Sequence, residues 1–110
     1  YQELYNLYQS KPSGVSFPRG ESLMDTVSRV KDFLKKLDLN KNTVVVSHDL
    51  TLRLIIAQIN GHNFDNIWEI PMESVALTDF ETTGNQLQPL KTNDAKHLNG
   101  LRADITKHAL

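Results

Sequence analysis

The clearest pattern along the chain is a stripe of apolar residues that begins just after Ser22 and recurs every three or four positions. It predicts about four turns of amphipathic helix on Leu23, Val27, Val30, Phe33 or Leu34, and Leu37. Ser22 and Asp25 form a weak version of a capping box, which marks the start of this helix. Residues 1–9 show similar spacing and predict a short helix, followed by a loop over residues 11–20 that is rich in Pro, Gly and Ser.

A β-branched run follows, with a different pattern. Residues 43–46 read TVVV without alternation, which predicts a strand covered on both faces, and such strands are usually parallel and central in a sheet. Residues 47–49 predict a turn, and apolar residues then return at helical spacing until Gly61, which is well placed to end that helix. Helix, strand, turn and helix in this order are typical of half of a layered α/β domain.

The last third of the chain predicts smaller elements. They are a short helical or looped segment at 64–68, a hairpin of strands 75–80 and 86–90, and a final helix suggested by Leu101 and Ile105. A buried parallel strand needs parallel neighbours, whereas the chain offers only this hairpin besides it. We therefore expect that much of the sheet is missing and that the domain is completed elsewhere.

Length and composition narrow the classes of function. The 110 residues fit one domain, and a content of 39% hydrophobic and 23% charged residues is that of an ordinary globular protein. Twelve Lys and Arg against thirteen Asp and Glu give a net charge of -1 without a basic stripe, which argues against nucleic acid as a partner. No apolar run approaches the ~20 residues of a membrane helix, so no membrane is expected either.

The absence of cysteine and the first residue add two expectations. Without Cys, disulfide scaffolds, thiolate metal sites and cysteine nucleophiles are excluded, and a cytoplasmic location is favoured. Because the chain starts at Tyr1 with neither Met nor a signal-like segment, we expect it to be a piece of a longer protein.

The segment VVVSHDLTLR, residues 44–53, gives the strongest indication of chemistry. It places His48 just beyond the carboxyl end of the predicted strand and before a helix, where ligands bind in open α/β sheets. The first-turn amides, around Leu50 to Leu52, have no intrahelical partner and favour an anion such as phosphate, to which an imidazole can donate a hydrogen bond. The alternative is an ordinary turn histidine, and position alone does not decide between the two.

Other chemistries fit these residues less well. Ser47, His48 and Asp49 are neighbours in sequence, and neighbouring side chains of an extended segment point to opposite faces, so they cannot form a hydrolase relay. A metal site is not favoured, because no helical pair or carboxylate motif accompanies the four histidines, at positions 48, 62, 97 and 108.

The remaining polar and aromatic candidates are interpreted as structural. Arg53 lies in the first turn of a predicted helix, where a cation is disfavoured. We favour a structural carboxylate, such as Glu21 or Asp25, over a substrate as its partner. Structural roles are also favoured for Arg29 as a solvated or bridging residue, for a core pair of Phe64 and Trp68, and for a turn with a cap at Asn93, Asp94 and His97.

Several of these motifs occur in the order found in a known family. The run PRGESL at 18–23, then Asp25-Thr26 and Arg29, and finally VVVSHDLTLR at 44–53 resemble the second half of the histidine phosphatase superfamily, the family of cofactor-dependent phosphoglycerate mutase. The motifs are weak one by one and fairly specific in combination.

Two later segments extend the resemblance. They are Ile70-Pro71-Met72-Glu73-Ser74 and the run Asn93-Asp94 with His97-Leu98, which is similar to the close of the small phosphatases of the family. The resemblance indicates that residues 1–110 form one segment, the C-terminal half of such a domain, with residues 99–110 as a tail outside it.

The resemblance implies a three-layer αβα phosphoglycerate mutase-like fold, incomplete in this chain, and phosphoryl transfer through a phosphohistidine. His48 matches the family's second histidine, a catalytic residue that holds and neutralises the phosphate, and the backbone amides of Asp49 and Leu50 would bind the substrate there. The nucleophilic histidine belongs to an R-H-G motif of the N-terminal half and has no counterpart here. Asp49 replaces the usual glycine and puts a carboxylate close to the anion, which puts full activity in doubt.

Two classes of function remain open. Under the first, the chain is part of a phosphomonoesterase or a phosphoglycerate mutase and is inactive alone. Its partners are a small phosphorylated metabolite, or less readily a phosphorylated protein histidine, and the missing N-terminal half or a second chain that completes the sheet. Under the second, it is a noncatalytic phosphate-binding or interaction module. We favour the first because the sheet is incomplete and a starting Met is absent. No resident cofactor is expected in either class.

Overall fold

A computed structural model describes residues 1–99 and 101 and combines helices with a two-stranded sheet, in agreement with an α/β class. The chain forms two compact units, Tyr1–Ile70 and Pro71–Leu110. The first unit holds α1 (Gln2–Ser10), a 3₁₀ helix (Pro12–Gly14), α2 (Leu23–Lys36), α3 (Asp49–Asn60) and a second 3₁₀ helix (Phe64–Glu69). The second unit holds β1 (Leu77–Thr83), β2 (Gln86–Asp94) and a 3₁₀ helix (Lys96–Leu98).

Helix α2 forms where the apolar stripe predicts it. Its capping box is complete, because the Asp25 N–H donates to Ser22 Oγ at 3.1 Å and the Ser22 N–H donates to Asp25 Oδ2 at 3.0 Å. The acidic first turn and the basic last turn, which holds Lys35 and Lys36, both complement the helix dipole. The local sequence therefore defines both ends of α2.

The core of the first unit lies between α2, α3 and the 3₁₀ helix Phe64–Glu69. Its buried members are Leu23, Val27, Val30, Leu54, Ala57 and Ile67. Burial of each large aliphatic side chain contributes about 1.5–3 kcal/mol. Phe64 and Trp68 pack against this cluster, as predicted for a core pair, and Trp68 Nε1 donates to the carbonyl of Tyr8 at 2.8 Å, which joins α1 to the core.

Helix α3 ends as its sequence predicts. Gly61 follows it with φ of 73°, a left-handed conformation in which glycine is favoured. The His62 N–H donates to the carbonyl of Ala57 at 2.9 Å and so satisfies one of the last carbonyls of the helix.

The predicted buried strand at 43–46 is wrong for the part of the chain that the structure describes. That segment belongs to no strand, and Val44 and Val46 are 89% and 90% exposed. A strand exists through hydrogen bonds to a neighbouring strand. Over residues 1–99 and 101 the sheet consists of β1 and β2 alone, so the valine run lacks the partner that its composition requires.

The second unit contains the predicted hairpin, with longer strands than expected. β1 and β2 pair antiparallel from Leu77 opposite Asp94 to Thr83 opposite Gln86, with two register irregularities. Gly84, with φ of 63°, makes the turn between them. The predicted last helix lies outside the described residues apart from Leu101. Within residues 1–99 and 101, every helix is too short or too polar to span a lipid bilayer.

Candidate functional site

His48 is the residue that directly precedes α3. Its backbone is extended, with φ of -110° and ψ of 164°, and its carbonyl accepts the Leu52 N–H at 2.9 Å, so it is the N-cap residue. Its side chain makes no capping hydrogen bond and is exposed. The imidazole is therefore available to a ligand at the start of α3.

Three backbone N–H groups follow the imidazole. Those of Asp49, Leu50 and Thr51 have no acceptor within the helix, and they lie at the positive end of its dipole. The predicted set, around Leu50 to Leu52, needs correction by one residue, because the Leu52 N–H is already bonded to the His48 carbonyl. The amides of Asp49 and Leu50 belong to the unpaired set, and their role as substrate ligands stays a prediction.

The carboxylate of Asp49 is paired with Arg53. Arg53 Nε donates to Asp49 Oδ2 at 3.0 Å, and Arg53 Nη1 donates to the backbone carbonyls of Ile67, at 2.9 Å, and Ile70. The Arg53 side chain is only 12% exposed, whereas that of Asp49 is 48% exposed. The guanidinium is therefore held inside the unit, whereas the carboxylate is about half exposed at the start of α3.

The expected partners of Arg53 were wrong, although its structural role is as predicted. Glu21 pairs instead with Arg29 through two hydrogen bonds of 2.9 and 2.8 Å, which makes Arg29 the bridging residue expected from the sequence. Asp25 is engaged in the capping box of α2. Glu21 and Asp25 are thus already paired with other groups. The carboxylate partner of Arg53 is Asp49, one turn earlier in α3.

The guanidinium of Arg53 lies against one end of a chain of three aromatic rings. Its central carbon lies 5.4 Å from the centroid of the Trp68 ring. Tyr8 contacts Trp68 edge to face at 4.9 Å, and Phe17 contacts Tyr8 at 6.0 Å. Burial raises the pKa of Tyr8, the charge of Asp49 raises it further, and Arg53 lowers it. Sequence reasoning missed this cluster, because its members are far apart in the chain and share no motif.

The polar group of the second unit is structural. Asn93, at φ of 50°, accepts the Glu73 N–H on Oδ1 at 2.7 Å, and its own N–H donates to Thr78 Oγ1 at 3.1 Å. Asp94 Oδ1 accepts the Lys96 N–H at 3.0 Å. That hydrogen bond lowers the pKa of Asp94, with smaller help from nearby positive charges. This agrees with the predicted turn and cap.

Metal ligands do not cluster in the described part of the chain. No three His, Cys, Asp or Glu side chains among residues 1–99 and 101 are placed to hold a metal ion. His62 is exposed just after α3, and His97 is exposed in the 3₁₀ helix Lys96–Leu98. His108 lies outside the described residues. The start of α3 is thus the site with an available imidazole beside unpaired amides.

Comparison with known proteins agrees with the motifs. The model of the family described as histidine phosphatase superfamily (branch 1) matches residues 1–95. The chain is 29% identical over 101 residues to "Phosphoserine phosphatase 1" of Hydrogenobacter thermophilus, with 89% of the chain and 48% of that protein covered. It is 24% identical over 99 residues to "Putative phosphoserine phosphatase 2" of the same bacterium, with 88% and 49% covered. The chain therefore spans about half the length of these curated relatives.

Proposed function

The chain belongs to the histidine phosphatase superfamily, and from that premise we propose that it supplies one side of the active site of a phosphomonoesterase. The observation that carries the proposal is the exposed imidazole of His48 next to the unpaired N–H groups at the start of α3. Backbone donors at a helix start and an imidazole suit a phosphate group, because each can donate a hydrogen bond to its oxygens.

The proposed role of His48 is electrostatic. During phosphoryl transfer, negative charge spreads over the three equatorial oxygens of the transferred group, and donors that are already in place stabilise it. His48 and the amides of Asp49 and Leu50 are donors of this kind. The amides need little reorganisation, because the first turn of α3 fixes them in place.

We infer that the covalent step uses a second histidine from outside these 110 residues. In that step the phosphorus–oxygen bond of the ester breaks as a phosphorus–nitrogen bond forms on that histidine, and the leaving alkoxide takes a proton from an acidic group that the same outside part supplies. Water then cleaves the phosphorus–nitrogen bond and releases inorganic phosphate. No histidine of this sequence follows an arginine, and the chain covers only 48% and 49% of its relatives. Residues 1–110 are thus proposed as the C-terminal half of a three-layer domain, with 99–110 as a tail.

The proposed substrate is a small phosphate ester. Two relatives carry the name phosphoserine phosphatase, so O-phosphoserine is the first substrate to test. The same names favour a phosphatase over a phosphoglycerate mutase. The identities, 24% and 29%, leave the alcohol part of the substrate to be determined by the assay.

The experiment compares His48→Ala with His62→Ala in the complete natural protein, including any residues that precede Tyr1. Release of phosphate from O-phosphoserine and from p-nitrophenyl phosphate is measured at saturating substrate. We expect His48→Ala to lower kcat by about 100-fold or more, which is typical for loss of a transition-state donor. His62 is exposed at the other end of α3, so its replacement controls for the loss of a surface histidine.

Circular dichroism and thermal unfolding accompany the assay. The His48 side chain is exposed and makes no capping bond, so both variants should keep the wild-type fold. Unchanged turnover in His48→Ala would remove this residue from the mechanism.

A noncatalytic phosphate-binding module is the second candidate. It is favoured by the absence of an Arg-His pair in this sequence and by the carboxylate of Asp49 beside His48. The sequence that precedes Tyr1 and the intact mass of the natural protein distinguish the two candidates. An R-H-G motif upstream supports the enzyme, whereas a natural protein without that motif, with phosphate binding and no turnover, supports the module.

A further inference from the structure

The carboxylate of Asp49 is an obstacle to phosphate at the start of α3. Asp49 is the first residue of the helix, directly after His48, and its side chain is 48% exposed. A phosphate ester carries one or two negative charges near neutral pH, so a free carboxylate at this position would oppose its binding. A phosphate site here requires that the charge of Asp49 be compensated.

Arg53 is placed to compensate that charge. Its Nε lies 3.0 Å from Asp49 Oδ2, one helical turn along α3. The opposite end of the guanidinium is fixed by the carbonyls of Ile67 and Ile70. Because the side chain is only 12% exposed, water screens the pair less than it screens a surface ion pair.

The surroundings of Arg53 hold it in one orientation. The guanidinium lies against the Trp68 ring, at 5.4 Å from its centroid. Trp68 is fixed in turn by its hydrogen bond to the carbonyl of Tyr8 and by edge-to-face contact with the Tyr8 ring. A surface pair loses side-chain entropy when it forms, whereas this guanidinium is already ordered by packing and by backbone acceptors.

We propose that Arg53 is a positioning residue of the phosphate site, which draws the Asp49 carboxylate toward itself and neutralises it, so that the start of α3 can accept a phosphate group. This inference rests on the proposed function, because it concerns the same site. Arg53 and Asp49 together then add no net charge to the site. Its preference for an anion is determined by the unpaired amides and His48.

The test titrates inorganic phosphate into the full chain and follows the amide NMR signals of Asp49, Leu50 and Thr51. Four proteins are compared: wild type, Arg53→Met, Asp49→Asn and the double variant. We expect Arg53→Met to weaken phosphate binding about fivefold, as one uncompensated surface charge would. Asp49→Asn should tighten it by a similar factor, and the double variant should return to the wild-type affinity.

The double variant separates positioning from a merely structural role. Arg53 also donates to two backbone carbonyls, so its loss can loosen the unit. In that case the double variant would bind as weakly as Arg53→Met, and the proposal would be overturned. Recovery of affinity on removing Asp49 supports it. Asp49→Asn leaves the carbonyl bonds in place and gives a second measurement that does not depend on the stability of Arg53→Met.

Arg29→Met is the matched control. Arg29 also forms two hydrogen bonds with a carboxylate, Glu21, but the two side chains are 66% and 50% exposed. Its replacement changes the net charge equally and should leave the affinity within about twofold. If the wild type binds phosphate and Arg53→Met binds it equally well, this inference is overturned but the proposed phosphate site is not. Absence of phosphate binding in all variants, including Asp49→Asn, would overturn the proposed phosphate site together with it.

Discussion

Arg19 occupies a backbone conformation that favours glycine. It follows Pro18 in a four-residue turn closed by the hydrogen bond from the Gly20 N–H to the Phe17 carbonyl, at 3.0 Å. Its φ is 57°. With Pro at the second position and positive φ at the third, the turn is of type II, whose third position prefers Gly. A non-glycine residue in this region costs about 1–2 kcal/mol.

We expect Arg19→Gly to raise the free energy of unfolding. The relief of backbone strain exceeds the added flexibility of the unfolded chain, and the net gain should be about 0.5–1 kcal/mol. Urea unfolding followed by circular dichroism measures it. Gly61→Ala provides the opposite case, because φ is 73° there and a methyl group would meet no atom within 4 Å. It should lose about 1 kcal/mol through strain alone, and a gain in that variant would contradict the argument for Arg19.

The start of α2 depends on a reciprocal pair of hydrogen bonds at Ser22 and Asp25. Hydrogen bonds from Ser22, above all from its backbone N–H, hold the pKa of Asp25 below its ordinary value of 3.8. A carboxyl whose pKa is lower in the folded state stabilises that state fully above the unfolded value. That contribution is lost as the pH falls through the folded value, so α2 should weaken in acid below about pH 4.

Ser22→Ala should lower stability at pH 7 by about 1 kcal/mol, as the loss of an N-cap does. It should also raise the pKa of Asp25. The substitution removes the Ser22 hydroxyl, and it loosens the backbone N–H of residue 22 that donates to the Asp25 carboxylate. Carbon NMR shifts of the Asp25 carboxyl against pH measure the change. Ser28→Ala is the control, since Ser28 lies in the same helix and its hydroxyl bonds only to the Met24 carbonyl. If the Asp25 carboxyl titrates in Ser22→Ala as it does in the wild type, the capping box does not lower the pKa of Asp25.

Elements that depend on local sequence were predictable. The apolar stripe and capping residues of α2, the glycine after α3 and the hairpin turn each determine structure within a few residues. The TVVV run at 43–46 was not predictable in this way, because a strand depends on hydrogen bonds to a partner that the described residues do not contain. Its composition suits a strand, and residues 1–99 and 101 do not supply a partner for it.

The part of the candidate site that depends on local sequence was also predictable. His48 and the unpaired amides follow from their order in the sequence at a helix start. The environment of Arg53 follows only in part, because two of its three acceptors are backbone carbonyls 14 and 17 residues away. Any residue type presents a carbonyl, so such a partner leaves no mark in the sequence.

On the scale of the whole molecule, three consecutive valines, at 44–46, form an exposed apolar segment outside any strand. Val44 and Val46 are 89% and 90% exposed, and Val45 is 42% exposed. Consecutive β-branched residues without a partner strand leave both apolar surface and backbone groups open to pairing with another strand. A second chain, or a missing half of the domain, is the proposed occupant of this segment.

We therefore expect the 110-residue chain to associate as its concentration rises, because pairing of this segment buries valine side chains and satisfies its backbone groups. Sedimentation velocity over a range of concentrations measures the association. Lysine at both Val44 and Val46 should suppress it, since charges on an edge oppose pairing. Val75→Lys is the control, because Val75 is also exposed, at 74%, but lies in the second unit. A compact monomer at every concentration, or equal suppression by Val75→Lys, would contradict a role for the valine run.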